Sequence, residues 1–256
     1  MKRILALTIA TLLALLVAAA VFGSGCEKKK PASLDYDRSP NYVVVEYWAG
    51  GGLPAPWDDI VSEFRLFGDG TMVRPDPSSK HLVLLKGQIS EEKVKELLEK
   101  IAETGFFGLK DEYVNKNIFD GTSQGINVNL KEVKKKVRVY MMDVKEINAA
   151  RKLLMDYPMN ATFADYVPEK GYVVVQKSTG GQKPVVDPSS EIFALLPDAT
   201  ALKQAAESRK PVEIDGASFA KLKRFESQQQ YVGFAVQADG VVYDLFPVYT
   251  PRYMNG

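Results

Sequence analysis

The stretch GINVNLKEVKKKVRVYMM, residues 125–142, decides the fold. Ile126, Val128 and Leu130 alternate with Asn127 and Asn129, and Val137, Val139 and Met141 alternate with Arg138 and Tyr140. A period of two sends successive side chains to opposite faces of a strand. Two such runs in tandem predict an antiparallel hairpin with one apolar face and one wetted face. A sheet of that kind needs cover on its apolar side only.

Helical patterns on either side of the hairpin supply the cover. In residues 91–103, Val94, Leu97, Leu98 and Ile101 fall at i, i+3, i+4 and i+7, which is one buried stripe. Ser90 is placed to cap the helix, Glu91 and Glu92 suit the positive end of its dipole, and Gly105 suits the position just past its end. Phe106 and Phe107 are expected to fold back beneath it. Residues 145–156 form a second helix with Ala150, Leu153, Leu154 and Tyr157 inward. The expected class is α+β, with antiparallel sheets and helices packed on one face.

Upstream, residues 42–48 and 60–67 read as strands, the second with Phe64 and Leu66 on one face. Gly68-Asp69-Gly70 is a hairpin turn leading back through Thr71–Val73, and residues 81–85 form a further apolar segment. Downstream, residues 160–168 read as a junction and 172–176 as a strand. Asp198 caps a helix to Ser208, with Leu202, Ala205 and Ala206 inward. A further helix over residues 216–229 uses Phe219, Leu222 and Phe225. Residues 231–237 and 241–246 then pair across Ala238-Asp239-Gly240. The expected division is an α+β domain over 41–160 and a second over 161–256, either as two small domains or as one continuous sheet.

The motifs FGDGTM, ISEEKVKELL and ETGFFGLKDEY, followed by a hairpin and a last helix, resemble uncharacterised globular domains of prokaryotic lipoproteins. The resemblance covers residues 41–158 and rests on a turn, a cap and a core. It implies a fold and carries no catalytic residues across.

The first 26 residues agree with that resemblance. Lys2 and Arg3 precede an uncharged run from Ile4 to Phe22, then Gly23-Ser24-Gly25 and Cys26, the only cysteine. A basic start, an apolar stretch and a small-residue end mark a secretory signal. The segment resembles a prokaryotic lipoprotein signal, cleaved before a cysteine that takes lipid. Ser24 and Gly25 fit that pattern; Gly23 stands where the family usually has leucine. Three readings remain open: lipidation at Cys26 after removal of residues 1–25, retention as an uncleaved anchor, and ordinary export with an incidental cysteine. Each buried methylene of an acyl chain contributes about 0.8 kcal/mol, so two or three chains hold a protein firmly on a membrane. Residues 26–40, charged and proline-containing, are expected to be a flexible tether with ends roughly 20 Å apart.

A single cysteine excludes an intramolecular disulfide framework, so the fold rests on its cores. The net charge of +1 falls to about −1 once Lys2 and Arg3 leave, since 31 basic residues then face 32 acidic ones. A neutral body carries no electrostatic footprint for nucleic acid, so no nucleic-acid partner is expected. Neither is a cofactor. With one histidine and one cysteine the chain is not expected to hold a transition metal, and its acidic pairs lack EF-hand spacing.

Catalytic patterns are weak. Ser218-Phe219-Ala220-Lys221 matches S-x-x-K, and Lys177-Ser178-Thr179-Gly180 loosely resembles K-T-G, but the order is reversed and no S-D-N lies between them. A serine at a helix start with lysine one turn later has a plainer explanation as a cap. His81 sits in Lys-His-Leu-Val-Leu, which reads as a strand start. No catalytic residue is assigned; an envelope hydrolase using Ser218 and Lys221, or His81, is the alternative. The only tryptophans, Trp48 and Trp57, bracket a Gly/Pro loop that includes Gly50, Gly51 and Gly52. These five residues form the candidate partner-binding loop, or the face of an inhibitor of a secreted enzyme. The structural alternative is that both rings plug the end of the sheet. Lys131, Lys134, Lys135, Lys136 and Arg138 make the hairpin basic, which suits protection against edge-to-edge aggregation or docking on an anionic polymer. The function expected is that of a non-catalytic binding or accessory protein, lipid-anchored through Cys26 at the extracytoplasmic face of the cell membrane. Its expected partner is an unidentified protein or small molecule.

Overall fold

The fold is that of a computed structural model, which describes residues 30–51, 62–156, 161–180 and 183–249. The opening hairpin forms as expected: β6 (Thr122–Asn129) pairs antiparallel with β7 (Lys134–Tyr140), with Ile126 opposite Val137. Ile126, Val128, Val137 and Val139 are all buried, whereas Lys136 and Arg138 between them are exposed. Met141 departs from the alternation. It lies past the strand at φ +48 and is partly exposed, because β7 ends at Tyr140 in a tight turn.

On its other side β6 pairs with β1 (Val43–Gly51), placing Tyr47 opposite Ile126. From β1 the sheet continues antiparallel through β2 (Phe64–Phe67), β3 (Thr71–Pro75), β4 (Leu84–Gln88) and β8 (Ala164–Asp165). The far edge is β5 (Glu112–Val114), which runs parallel to β7. That pair corrects the all-antiparallel expectation. The return strand of the hairpin inserts between β5 and β6, so β5 and β7 share a direction.

Helices α1 (Glu91–Glu103) and α2 (Lys145–Asp156) share one apolar core with this sheet. Ser90 accepts the Lys93 N–H at 3.3 Å, and Val94, Leu97, Leu98 and Ile101 are buried. Full burial of side chains of this kind contributes roughly 1.5–3 kcal/mol each. Gly105 takes φ +91 just past the helix, a left-handed turn that favours glycine. Phe106 and Phe107 then meet edge to face under α1. In α2, Ala150 and Leu154 point inward as expected, and so does Ile147; Tyr157 lies outside the described residues.

A separate four-stranded antiparallel sheet follows, in the order β10 (Val212–Asp215), β9 (Lys170–Lys177), β12 (Val241–Val248) and β11 (Phe234–Ala238). Helices α3 (Ala199–Ser208) and α4 (Gly216–Ser227) bury Leu202, Ala205 and Leu222 in its core. The sheets are therefore two, not one. A third small cluster of Val73, Leu84, Phe219 and Tyr249 joins them. β8, although it follows residue 160, belongs to the first sheet through Ala164 opposite Lys86.

The segment expected to be a free tether through residue 40 is docked from about residue 34 onward. Tyr36 is fully buried in the first core, with Leu34 packed beside it. The Asp35 carbonyl accepts the Lys131 N–H at 2.8 Å, and Arg38 bridges Asp35 and Glu91 at 2.9 Å each. One buried tyrosine offsets the polar average of the segment.

Candidate functional site

Alternation along β1 sends Tyr47 and Ala49 to the helix face of the first sheet and Glu46 and Trp48 to the other. β6 contributes Gln124 to the helix face, β7 contributes Val139, and Arg151 reaches over from α2. These residues, with Gly50, Gly51, Glu63, Thr122, Ser123, Met141, Met142 and Asp143, line a cleft of about 680 Å³. Pockets of roughly 300–1,000 Å³ are the usual size for small-molecule sites.

The charged groups of the cleft come from different segments. Burial pushes the Glu63 carboxyl up, against the opposing pull of the Arg151 guanidinium. Burial also raises the Tyr47 phenol, the Glu63 charge adds to that rise, and a hydrogen bond with Arg151 works against it. The Tyr47 hydroxyl also donates to Gln124 Oε1 at 3.3 Å. Perturbed titratable groups gathered in a cleft mark candidate sites. A furrow of about 630 Å³ between α1 and α2 lacks that character: it is lined by residues of the two helices and Thr104, largely lysines and acids.

The opposite face of the sheet holds a polar cluster. Burial raises Glu46, but hydrogen bonds from Ser62, Arg65 and Asn127 outweigh it and hold the carboxyl below its ordinary value. Trp48 lies on that face across Gly125, where an added Cβ would come within 2.5 Å of the indole ring.

The residues proposed for partner binding thus separate. Gly50 and Gly51 belong to β1, opposite Ser123 and Thr122, and line the cleft. The Trp48 ring packs over Gly125 and is not among the described residues lining the cleft. Gly52 and Trp57 lie outside the described residues, as does Cys26.

The residues of the hydrolase alternative are placed in separate segments of the fold, Ser218 with Lys221 in α4 and His81 ahead of β4. The Ser218 N–H donates to the Asp215 cap at 2.9 Å in the first turn of α4, and Lys221 is exposed one turn later. His81 Nε2 is buried without a hydrogen-bond partner among the described residues. No group of three His, Cys, Asp or Glu among the described residues is placed to hold a metal ion. In the basic hairpin, Lys131 pairs with Asp35 and Lys135 with Asp111, both at 2.7 Å.

Tyr47, Glu63, Gln124 and Arg151 were not legible as a site. Each looked ordinary in its own segment, and only the strand order brings them together. No family model, curated protein or solved structure matches the chain.

Proposed function

We propose that this chain is a lipid-anchored binding protein of the extracytoplasmic membrane face, held through Cys26 and taking its ligand in the cleft beneath Arg151. One observation carries the reading: the docked N-terminal segment and the cleft lie at opposite ends of the first sheet. Asp35 meets Lys131 in the turn after β6, whereas Thr122 at the start of β6 lines the cleft. An eight-residue strand separates those ends by roughly 25 Å. The chain from Cys26 to Leu34 reaches at most about 28 Å, so an anchor on Cys26 keeps the docked end near the membrane. The cleft then lies at the end of the strand farther from the docked segment, where solute or a neighbouring protein can reach it.

The test is intact-mass analysis of the membrane fraction of the native host. The expected species starts at Cys26 and carries acyl chains, and Cys26→Ser moves the protein out of the lipid-modified pool. An unmodified Cys26 in a species recovered from cytosol would overturn the anchoring half of the proposal.

A further inference from the structure

The cleft has a charge arrangement specific enough to name a ligand class, and the inference rests on the binding reading above. Arg151 is the one cation among the described residues lining the cleft, and a guanidinium presents a flat fork of donors that matches a carboxylate. Glu63 and Asp143 line the same space, so its described walls carry two carboxyl groups against one guanidinium. That balance disfavours a phosphate or another multiply charged anion and leaves room for a cation. Val139, Met141 and Met142 supply the apolar part of the lining, and Met141 and Met142 are partly exposed. Methionines are flexible and adapt to apolar groups of different shape. Tyr47, the one aromatic side chain among the described residues of the lining, is 2% exposed.

We propose that the cleft binds a zwitterion with an apolar side group, its carboxylate on Arg151, its ammonium on Glu63 and Asp143, and its apolar group against the exposed Met141 and Met142. An apolar amino acid and a short apolar peptide share this chemistry. The volume of about 680 Å³ admits either. Burial already works against a charged Glu63, and an ammonium partner offsets that cost.

Calorimetric titration of the full mature chain in detergent tests the assignment, with leucine, leucyl-leucine and N-acetyl-leucinamide as probes. Leucine or leucyl-leucine should bind, and the tighter of the two identifies the source. The doubly capped compound should bind at least tenfold more weakly. Arg151→Ala and Glu63→Gln should each weaken the zwitterion at least tenfold in protein that still melts cooperatively. Ala49→Trp, which fills the floor of the cleft, should abolish binding. Equal binding of the capped compound overturns the zwitterion class and leaves the cleft as a binding site. Binding untouched by Ala49→Trp removes the cleft itself, and the ligand site of the broader proposal with it. Absence of heat with all three probes overturns the class. In that case a neutral fragment set read on the Met141 and Met142 methyl resonances decides separately whether the cleft takes any ligand.

Discussion

At the scale of single residues, the N-terminal segment rests on two close fits. The Tyr36 side chain is fully buried, yet its hydroxyl has no hydrogen-bond partner among the described residues. A buried hydroxyl left unpaired costs roughly 1–3 kcal/mol. Tyr36→Phe keeps the ring and removes that cost, so it should raise stability by about 1 kcal/mol, read as a higher urea midpoint. Tyr36→Ala should instead cost about 3–5 kcal/mol by leaving a cavity. Gly68 is the second fit: an added Cβ would lie 2.0 Å from the Asp37 carbonyl and 2.7 Å from that of Ser39. Those atoms belong to the backbone and cannot swing aside. Gly68→Ala should therefore expose residues 34–42 to proteolysis while leaving the helices protected from hydrogen exchange. Equal protection of the segment in the variant would remove the docking argument. Neither fit was visible in the sequence, where one tyrosine among lysines, prolines and acids does not stand out from a polar average.

Elements were legible to the degree that their signal was local. α1 announces its start, its buried stripe and its end within one stretch, and it forms over the residues expected. β5, β8 and β10 carry no such signal. They have three, two and four residues and lie at sheet edges, where partners and not side-chain patterns define them. The docked segment, by contrast, is joined to α1 by charge. Hydrogen bonds from Lys131 and Arg38 lower Asp35 from 3.8 to about 2, and those from Arg38 and Lys95 lower Glu91 from 4.5 to about 2. Both carboxyls are more acidic in the folded state than in the unfolded one. Their contribution is thus fully present above about pH 4.5 and is lost as pH falls toward 2. Hydrogen exchange at residues 34–39 should be unchanged from pH 7 to 5, after correction for intrinsic rates, and should lose protection between 4.5 and 2. High salt should blunt the effect, because these charges are exposed. In α4 the corresponding interaction is buried. Lys223, 3% exposed, donates to Glu226 at 2.8 Å and to the Pro247 carbonyl at 3.0 Å, while Glu226 accepts the Gly233 N–H. Removing one member of a buried pair costs about 3–5 kcal/mol, because the other charge stays uncompensated. Lys223→Met should fall in that range. Adding Glu226→Gln, which keeps an acceptor for Gly233, should recover part of the loss in chemical denaturation.

For the whole molecule, the question is whether two sheets with separate cores unfold as one. Their junction has at its centre Val73 and Leu84 from the first sheet, Phe219 from α4 and Tyr249 after β12, with Phe67, Leu82, Tyr166 and Ile214 packed around them. Phe219 meets Tyr249 edge to face at 4.8 Å between ring centres. The Tyr249 hydroxyl accepts the Leu84 N–H at 2.8 Å in a buried setting, closing a backbone donor of β4 that would otherwise be left unpaired. Arg224 of α4 spans to the first sheet, gripping Asp76 in the turn after β3 and Asp165 in β8. Hydrogen bonds from Ser78 and then Arg224 hold Asp76 well below the usual carboxylate range, so this clasp persists at any ordinary pH. These residues couple two bodies that each have their own core. Cooperative unfolding of both bodies together depends on that coupling exceeding the difference between their separate stabilities. Tyr249→Phe should leave the Leu84 N–H unpaired and cost about 1–3 kcal/mol. Combined with Arg224→Ala, it should convert a single calorimetric transition into two, with residues of the second sheet exchanging hydrogen before those of the first. A double variant that still melts in one step, shifted as a unit, would mean that the coupling runs through contacts other than this junction.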